Sequence, residues 1–154
     1  MRRLVTLTPI VFVLHFLEEG TKFVEWFNAH VPRGITNDLF WTVNFVALAI
    51  TLVVVIVAWV QPGAGADSAA AGWFSFLFGA NAILHIVGAV HDRAYVPGLI
   101  TAIALYVPLY ILIMRRIVGA RRVGVGALTG IALVCAAPML IHAYLIIFRG
   151  SRLF

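Results

Sequence analysis

Cysteine occurs once in this 154-residue chain, at Cys135, which excludes an intramolecular disulfide. The thiol lies in an apolar run, where a packed and inert side chain is expected. Charge is scarce too: 11% of residues are Asp, Glu, Lys or Arg, against about a quarter in soluble domains. With 63% hydrophobic residues and a mean hydropathy of +1.05, the chain has no means of hiding its apolar surface from water. No internal repeat is visible, so an inverted-repeat transporter architecture gets no support. A small-residue cleavage site is also missing after Met1-Arg2-Arg3 and the apolar run from Leu4 to Leu14. A retained first helix is expected there rather than a cleaved signal peptide.

What is present fits an all-α polytopic membrane protein, a single domain of five transmembrane helices. A spanning helix takes roughly 20 apolar residues, and the apolar runs predict helices over about 4–28, 38–60, 69–90, 96–114 and 123–148. The first is continuously apolar only to Leu17. The second is rich in β-branched residues but far too long for a strand. Gln61 to Ser68 has the composition of a turn-rich loop, Pro97 suits the first turn of the fourth helix, and Pro108 should kink its interior. Gly126 and Gly130 have the spacing that lets another helix approach closely. Phe23, Trp26, Phe27, Phe40, Trp41, Trp59, Trp73, Phe74 and Tyr95 fall near predicted span ends, as an aromatic belt would.

The net charge is +5 and the pI about 10.2. The arginines sit at the ends of apolar runs, so they mark topology and lipid headgroups rather than nucleic acid. Arg2, Arg3, Arg115, Arg116, Arg121 and Arg122 fall on one side, against Arg33, Arg93, Arg149 and Arg152 on the other. That bias predicts a cytoplasmic N-terminus.

Carboxylates near a bilayer centre cost about 2.5–3.5 kcal/mol each on insertion scales, which makes intramembrane acids functional candidates. His15, Glu18 and Glu19 are related as i, i+3 and i+4, on one face of a helical turn. At about 1.5 Å per residue, His15 and Glu19 lie roughly 16–22 Å deep, and Asn81 and His85, another i, i+4 pair, roughly 15–24 Å deep. His142, Asn44 and Thr101 come to a similar level. Glu25 is a candidate for an entrance, His91, Asp92 and His30 read as interfacial, and Tyr106, Tyr110 and Tyr144 as packing residues able to bond a substrate.

His15, His85 and His142 with Glu18 and Glu19 are ligand types for zinc, favoured here over iron, and a dication would offset the buried carboxylate charge. Asn81 and Asn44 would orient ligands or hold a water. Two metals would want more carboxylates than the core offers. The bland alternative is a metal-free hydrogen-bond network that specifies helix packing.

The string His15-Phe16-Leu17-Glu18-Glu19 resembles the signature of the HXXEE family of small prokaryotic membrane proteins. The resemblance extends to Asn81-Ala82-Ile83-Leu84-His85, to Pro97-Gly98 opening a helix, and to the late His142. It implies that His15, Glu18, Glu19, Asn81, His85 and His142 act as one constellation, in a family whose activity is uncharacterised.

The expectation is therefore a membrane-embedded metal-dependent enzyme, a hydrolase more than an iron oxidoreductase, acting on a lipid or apolar small molecule. His15, His85, His142 and one glutamate would hold zinc, and the other glutamate would take a proton from water. A metal-free acid/base isomerase or cyclase of an isoprenoid or sterol-like substrate, and a proton or metal-ion transporter, are the alternatives. Membrane lipids and the substrate are the expected partners, with a homodimer as an option.

Overall fold

The computed structural model describes residues 2–20 and 22–153, and every regular element within them is helical. The order is α1 (Arg2–Val5), α2 (Thr8–Glu19), α3 (Phe23–His30), α4 (Asn37–Val60), α5 (Ala64–Asp92), α6 (Leu99–Ala120) and α7 (Val125–Arg149). Helices α4, α5, α6 and α7 are each long and apolar enough to cross a bilayer, and α1–α2 with α3 form a fifth candidate span bent by 64°. The chain is an integral membrane protein built as a helical bundle. Half of the apolar window of α5 is buried against 11% of that of α4, so α5 is the central helix and α4 a peripheral one.

The first span is not the continuous helix that its composition predicts. Helix α2 stops at Glu19, and Lys22 leaves helical geometry before α3 begins. A Cβ on Gly20 would lie 2.8 Å from Cη2 of Trp41, so the close approach of α4 requires glycine where a helix former would otherwise continue the run.

The predicted loop from Gln61 to Ser68 is largely helical instead, because α5 starts at Ala64. Asp67 sits in its first turn, where a carboxylate complements the helix dipole, and its side chain is almost completely buried against Arg122. Arg122 donates from Nε to Oδ2 at 2.8 Å and from Nη2 to Oδ1 at 3.2 Å. This fork ties the α6–α7 turn to the start of α5. Arg122→Ala strands a buried carboxylate and should cost about 2–3 kcal/mol, read as earlier unfolding in a detergent titration. Unchanged stability would show that water reaches Asp67.

Helices α5 and α6 each contain a π-helical stretch, Ser75–Ala80 and Ala102–Tyr106. The second meets the expectation for Pro108 in another form. Proline cannot donate to the carbonyl four residues back and crowds it, and the wider turn with Val107 N bonded to Ala102 O takes up the misfit. Pro97 lies before α6 rather than inside its first turn.

Several aromatics assigned to a belt point inward instead. Phe27, Phe40 and Phe74 are buried, the last two with Phe12, Phe16 and Phe78 in the main core. Among the described residues a Cβ on Gly126 or Gly130 would meet nothing within 4 Å, so that spacing serves no helix contact there. The close approach occurs at Gly72, where a Cβ would lie 2.9 Å from Cys135 Sγ.

Candidate functional site

Helical spacing brings the first two members together. His15 and Glu19 are one turn apart on α2, and Nε2 of the histidine lies 3.4 Å from Oε1 of the glutamate. Helix α5 delivers the third: His85 Nε2 is 3.1 Å from the same Glu19 Oε1. All three side chains are buried. The imidazole planes stand at 80° with centroids 4.9 Å apart, so the rings converge edge to face on the carboxylate. Among the described residues neither Nδ1 nor Nε2 of His85 has a partner in hydrogen-bond geometry, Nε2 meeting Glu19 as a close contact.

The surrounding bonds favour the Nδ1 proton on His15. Thr101 Oγ1 donates to Gly98 O at 3.3 Å, which leaves it to accept from His15 Nδ1 at 2.8 Å. With Nδ1 protonated, Nε2 of the neutral ring turns a lone pair toward the cluster centre and toward Asn81 Nδ2, 3.3 Å away. Metal-binding histidines are oriented by bonds of this kind. Tyr106 lies against the opposite face of His15, with centroids 4.1 Å apart.

Glu18 is not part of this convergence. Adjacent helical positions point about 100° apart, and the Glu18 carboxylate instead meets the start of α6. Oε1 accepts from Ile100 N at 3.1 Å and from the Tyr95 hydroxyl, and Oε2 accepts from Thr101 N at 2.8 Å. These are the unsatisfied amides of a helix N-terminus, which favour an anion. Partial burial, then the Glu18 carboxylate beside it, pushes the Tyr95 hydroxyl up to about 12. The hydroxyl therefore remains a donor at every physiological pH.

Glu18 secures the tight turn that roofs the cluster. Val96 O accepts from Leu99 N at 3.0 Å across Pro97-Gly98, and Gly98 has φ of 93° and ψ of −11°, the second central position of a type II turn. A Cβ on Gly98 would fall 2.7 Å from His85 Cε1, 2.9 Å from Glu19 Cγ and 3.0 Å from His15 Cε1. Bare backbone thus lies directly over all three side chains. The Pro-Gly pair was the available sequence signal for this turn, but its place over the cluster was not readable.

His142 and Asn44 do not join the three-residue group. His142 Nδ1 accepts from Leu153 N at 3.2 Å, and Asn44 Nδ2 donates to Phe40 O at 3.0 Å. Both line a cavity of about 380 Å³ that also touches Glu19 and Asn81 and is otherwise almost wholly apolar. Its walls come from α2, α3, α4, α5 and α7. Glu25 is exposed and does not line it, and Asp92 is engaged at the C-terminal end of α5.

A family model described as protein of unknown function with HXXEE motif matches residues 6–113. The match takes in the motif, Asn81, His85 and the Pro97-Gly98 turn but ends before α7, so His142 lies outside it. Neither a curated protein nor a solved structure matches the chain.

Proposed function

The chain belongs to the family of proteins of unknown function with the HXXEE motif, and from the geometry around that motif we propose a membrane-embedded, metal-dependent enzyme acting on a lipid or other apolar small molecule. The observation that carries this reading is the convergence of one ligand atom each from His15, Glu19 and His85, all within 4.8 Å of one another in a buried position. Ligands about 2.0–2.1 Å from a tetrahedral zinc lie about 3.3 Å apart; the two measured edges here are 3.1 and 3.4 Å. The unpartnered His85 nitrogens are costly as they stand, at about 1–3 kcal/mol for each buried unsatisfied group. A divalent ion would occupy Nε2 and offset the Glu19 charge.

When bound, the ion would supply a Lewis acid and lower the pKa of water to about 7. In the hydrolytic reading Glu19 is a ligand through Oε1, with Oε2 left to accept a proton, and Asn81 orients whatever enters from the cavity. The cavity volume falls at the lower end of the range for small-molecule sites, and its apolar walls suit a substrate that arrives through the bilayer.

One observation favours a second reading of the same centre. Glu18 is held by the α6 amides, so two histidines and one carboxylate remain, the ligand set of mononuclear ferrous oxygenases. Oxidative chemistry on an apolar substrate is that reading. The arginine bias supports an N-terminus in the cytoplasm, and the resemblance to a family of small prokaryotic membrane proteins supports a prokaryotic plasma membrane as its location.

Elemental analysis of tag-free, never-chelated protein beside His15→Ala, His85→Ala tests the proposal. About one zinc or iron per chain that the wild-type protein carries and the double variant lacks is the expected result, and the identity of that metal separates the hydrolytic from the oxidative reading. Equal metal content in the two proteins would overturn both and leave the trio as an acid/base relay.

A further inference from the structure

A second convergence of ligand-type side chains lies at the C-terminal end of α5, away from the residues just assigned. Asp92 Oδ1 is 3.0 Å from His30 Nε2 and 3.0 Å from His91 Nδ1, and the three ligand atoms lie within 4.8 Å of one another. Asp92 Oδ2 accepts from Trp26 Nε1 at 2.7 Å, which fixes the rotation of the carboxylate. His30 Nδ1 is 2.9 Å from the Trp26 carbonyl oxygen. A ligating histidine whose other N–H is held by a backbone carbonyl, beside a carboxylate held by a donor, is the arrangement found around bound metals.

The hydrogen-bond inventory at His30 points the same way. A carbonyl oxygen only accepts, so Nδ1 carries a proton. The neutral ring then presents an Nε2 lone pair to a carboxylate oxygen, which also only accepts. Two acceptors 3.0 Å apart call for a cation that both contact, and that cation is either a proton on Nε2 or a metal ion seated beside the pair. His91 supplies a second nitrogen to the same oxygen, and the separations are close to the about 3.3 Å between ligands of a tetrahedral zinc. We propose that His30, His91 and Asp92 form a second divalent transition-metal site, of the kind zinc occupies, with water completing the coordination.

This site differs from the first in access and in what it joins. Its side chains are 17%, 43% and 18% exposed for His30, His91 and Asp92, whereas Glu19 in the buried trio is 7% exposed and its histidines 0%. It loads from the aqueous phase. It also fastens α3 to α5, and α3 supplies Phe23 and Phe27 to the wall of the cavity. An ion here would steady one side of that cavity without touching anything inside it.

The test uses the full-length, tag-free protein in detergent, titrated with zinc chloride by calorimetry. Wild-type protein is expected to bind one equivalent beyond whatever the buried trio holds. His91→Ala, at an exposed position, should remove that equivalent or weaken it by at least about 10-fold, the loss that even an orienting partner produces. Asp92→Asn should do the same while keeping the Trp26 bond. In the His15→Ala, His85→Ala background the equivalent should persist, which separates it from the first site. Absence of a His91-dependent equivalent in the wild-type protein would overturn the proposal and leave His30 and Asp92 as a protonated ion pair.

Discussion

Gly98→Ala is expected to abolish metal binding at the buried trio and any activity that depends on it. The substitution adds one methyl group and meets two separate obstacles. An L-residue at φ of 93° is strained by about 1–2 kcal/mol, and the new Cβ would press on His85, Glu19 and His15 at distances of 3.0 Å or less. Overpacking of this kind costs a further 1–3 kcal/mol, roughly. The turn is bonded through Glu18 on one side and roofs the three side chains on the other, so relief comes most readily by parting the cluster. Metal content and thermal unfolding of the variant in detergent measure the two effects together. Wild-type metal content with an unaltered midpoint would mean that the turn lifts away freely and that the roof has no part in the site.

The adjacent glutamates of the motif give the second large effect, because the geometry assigns them opposite work. Glu19→Gln preserves volume but removes the charge that two buried imidazoles face, and should lose the metal equivalent held by the trio with a folded protein remaining. Glu18→Gln should retain the metal and lose about 2 kcal/mol of stability, since a carboxylate accepting from two backbone amides is replaced by a weaker neutral acceptor. Metal analysis and a detergent unfolding curve on both variants distinguish them. Equal loss of metal from the two would return Glu18 to the ligand set, and the reverse pattern would invert the assignment.

The i, i+4 pairs His15 with Glu19 and Asn81 with His85 were legible in the sequence because helical period alone determines which residues share a face. The apolar runs likewise made the helical bundle legible. The bonds of Glu18 to the start of α6 were not legible because period cannot say which neighbour a side chain off the shared face will meet; that depends on where the start of α6 docks. The same limit applies at His142, where position along the helix matched the cluster but rotation sent the ring to the cavity and to Leu153 N. His30 and Asp92 are 62 residues apart, and each taken alone is an ordinary interfacial residue. The inward-facing Phe27, Phe40 and Phe74 read as a belt because placement near a span end is a statement about depth, and burial is a statement about azimuth.

The bonds that fix His15 run to residues made much later in the chain, and this sets an order on assembly during synthesis. Asn81 follows His15 by 66 residues and Thr101 by 86. At translation rates of about 5–20 residues per second, the first of these partners emerges about 3–13 s after His15. The opening segment is therefore made with its histidine and glutamate having only each other, and waits at the insertion machinery or at the headgroup level until α5 and then α6 arrive. Ribosome pausing between α2 and α5 would lengthen that exposure, so the yield of correctly inserted protein is sensitive to codon usage there and far less so after Thr101.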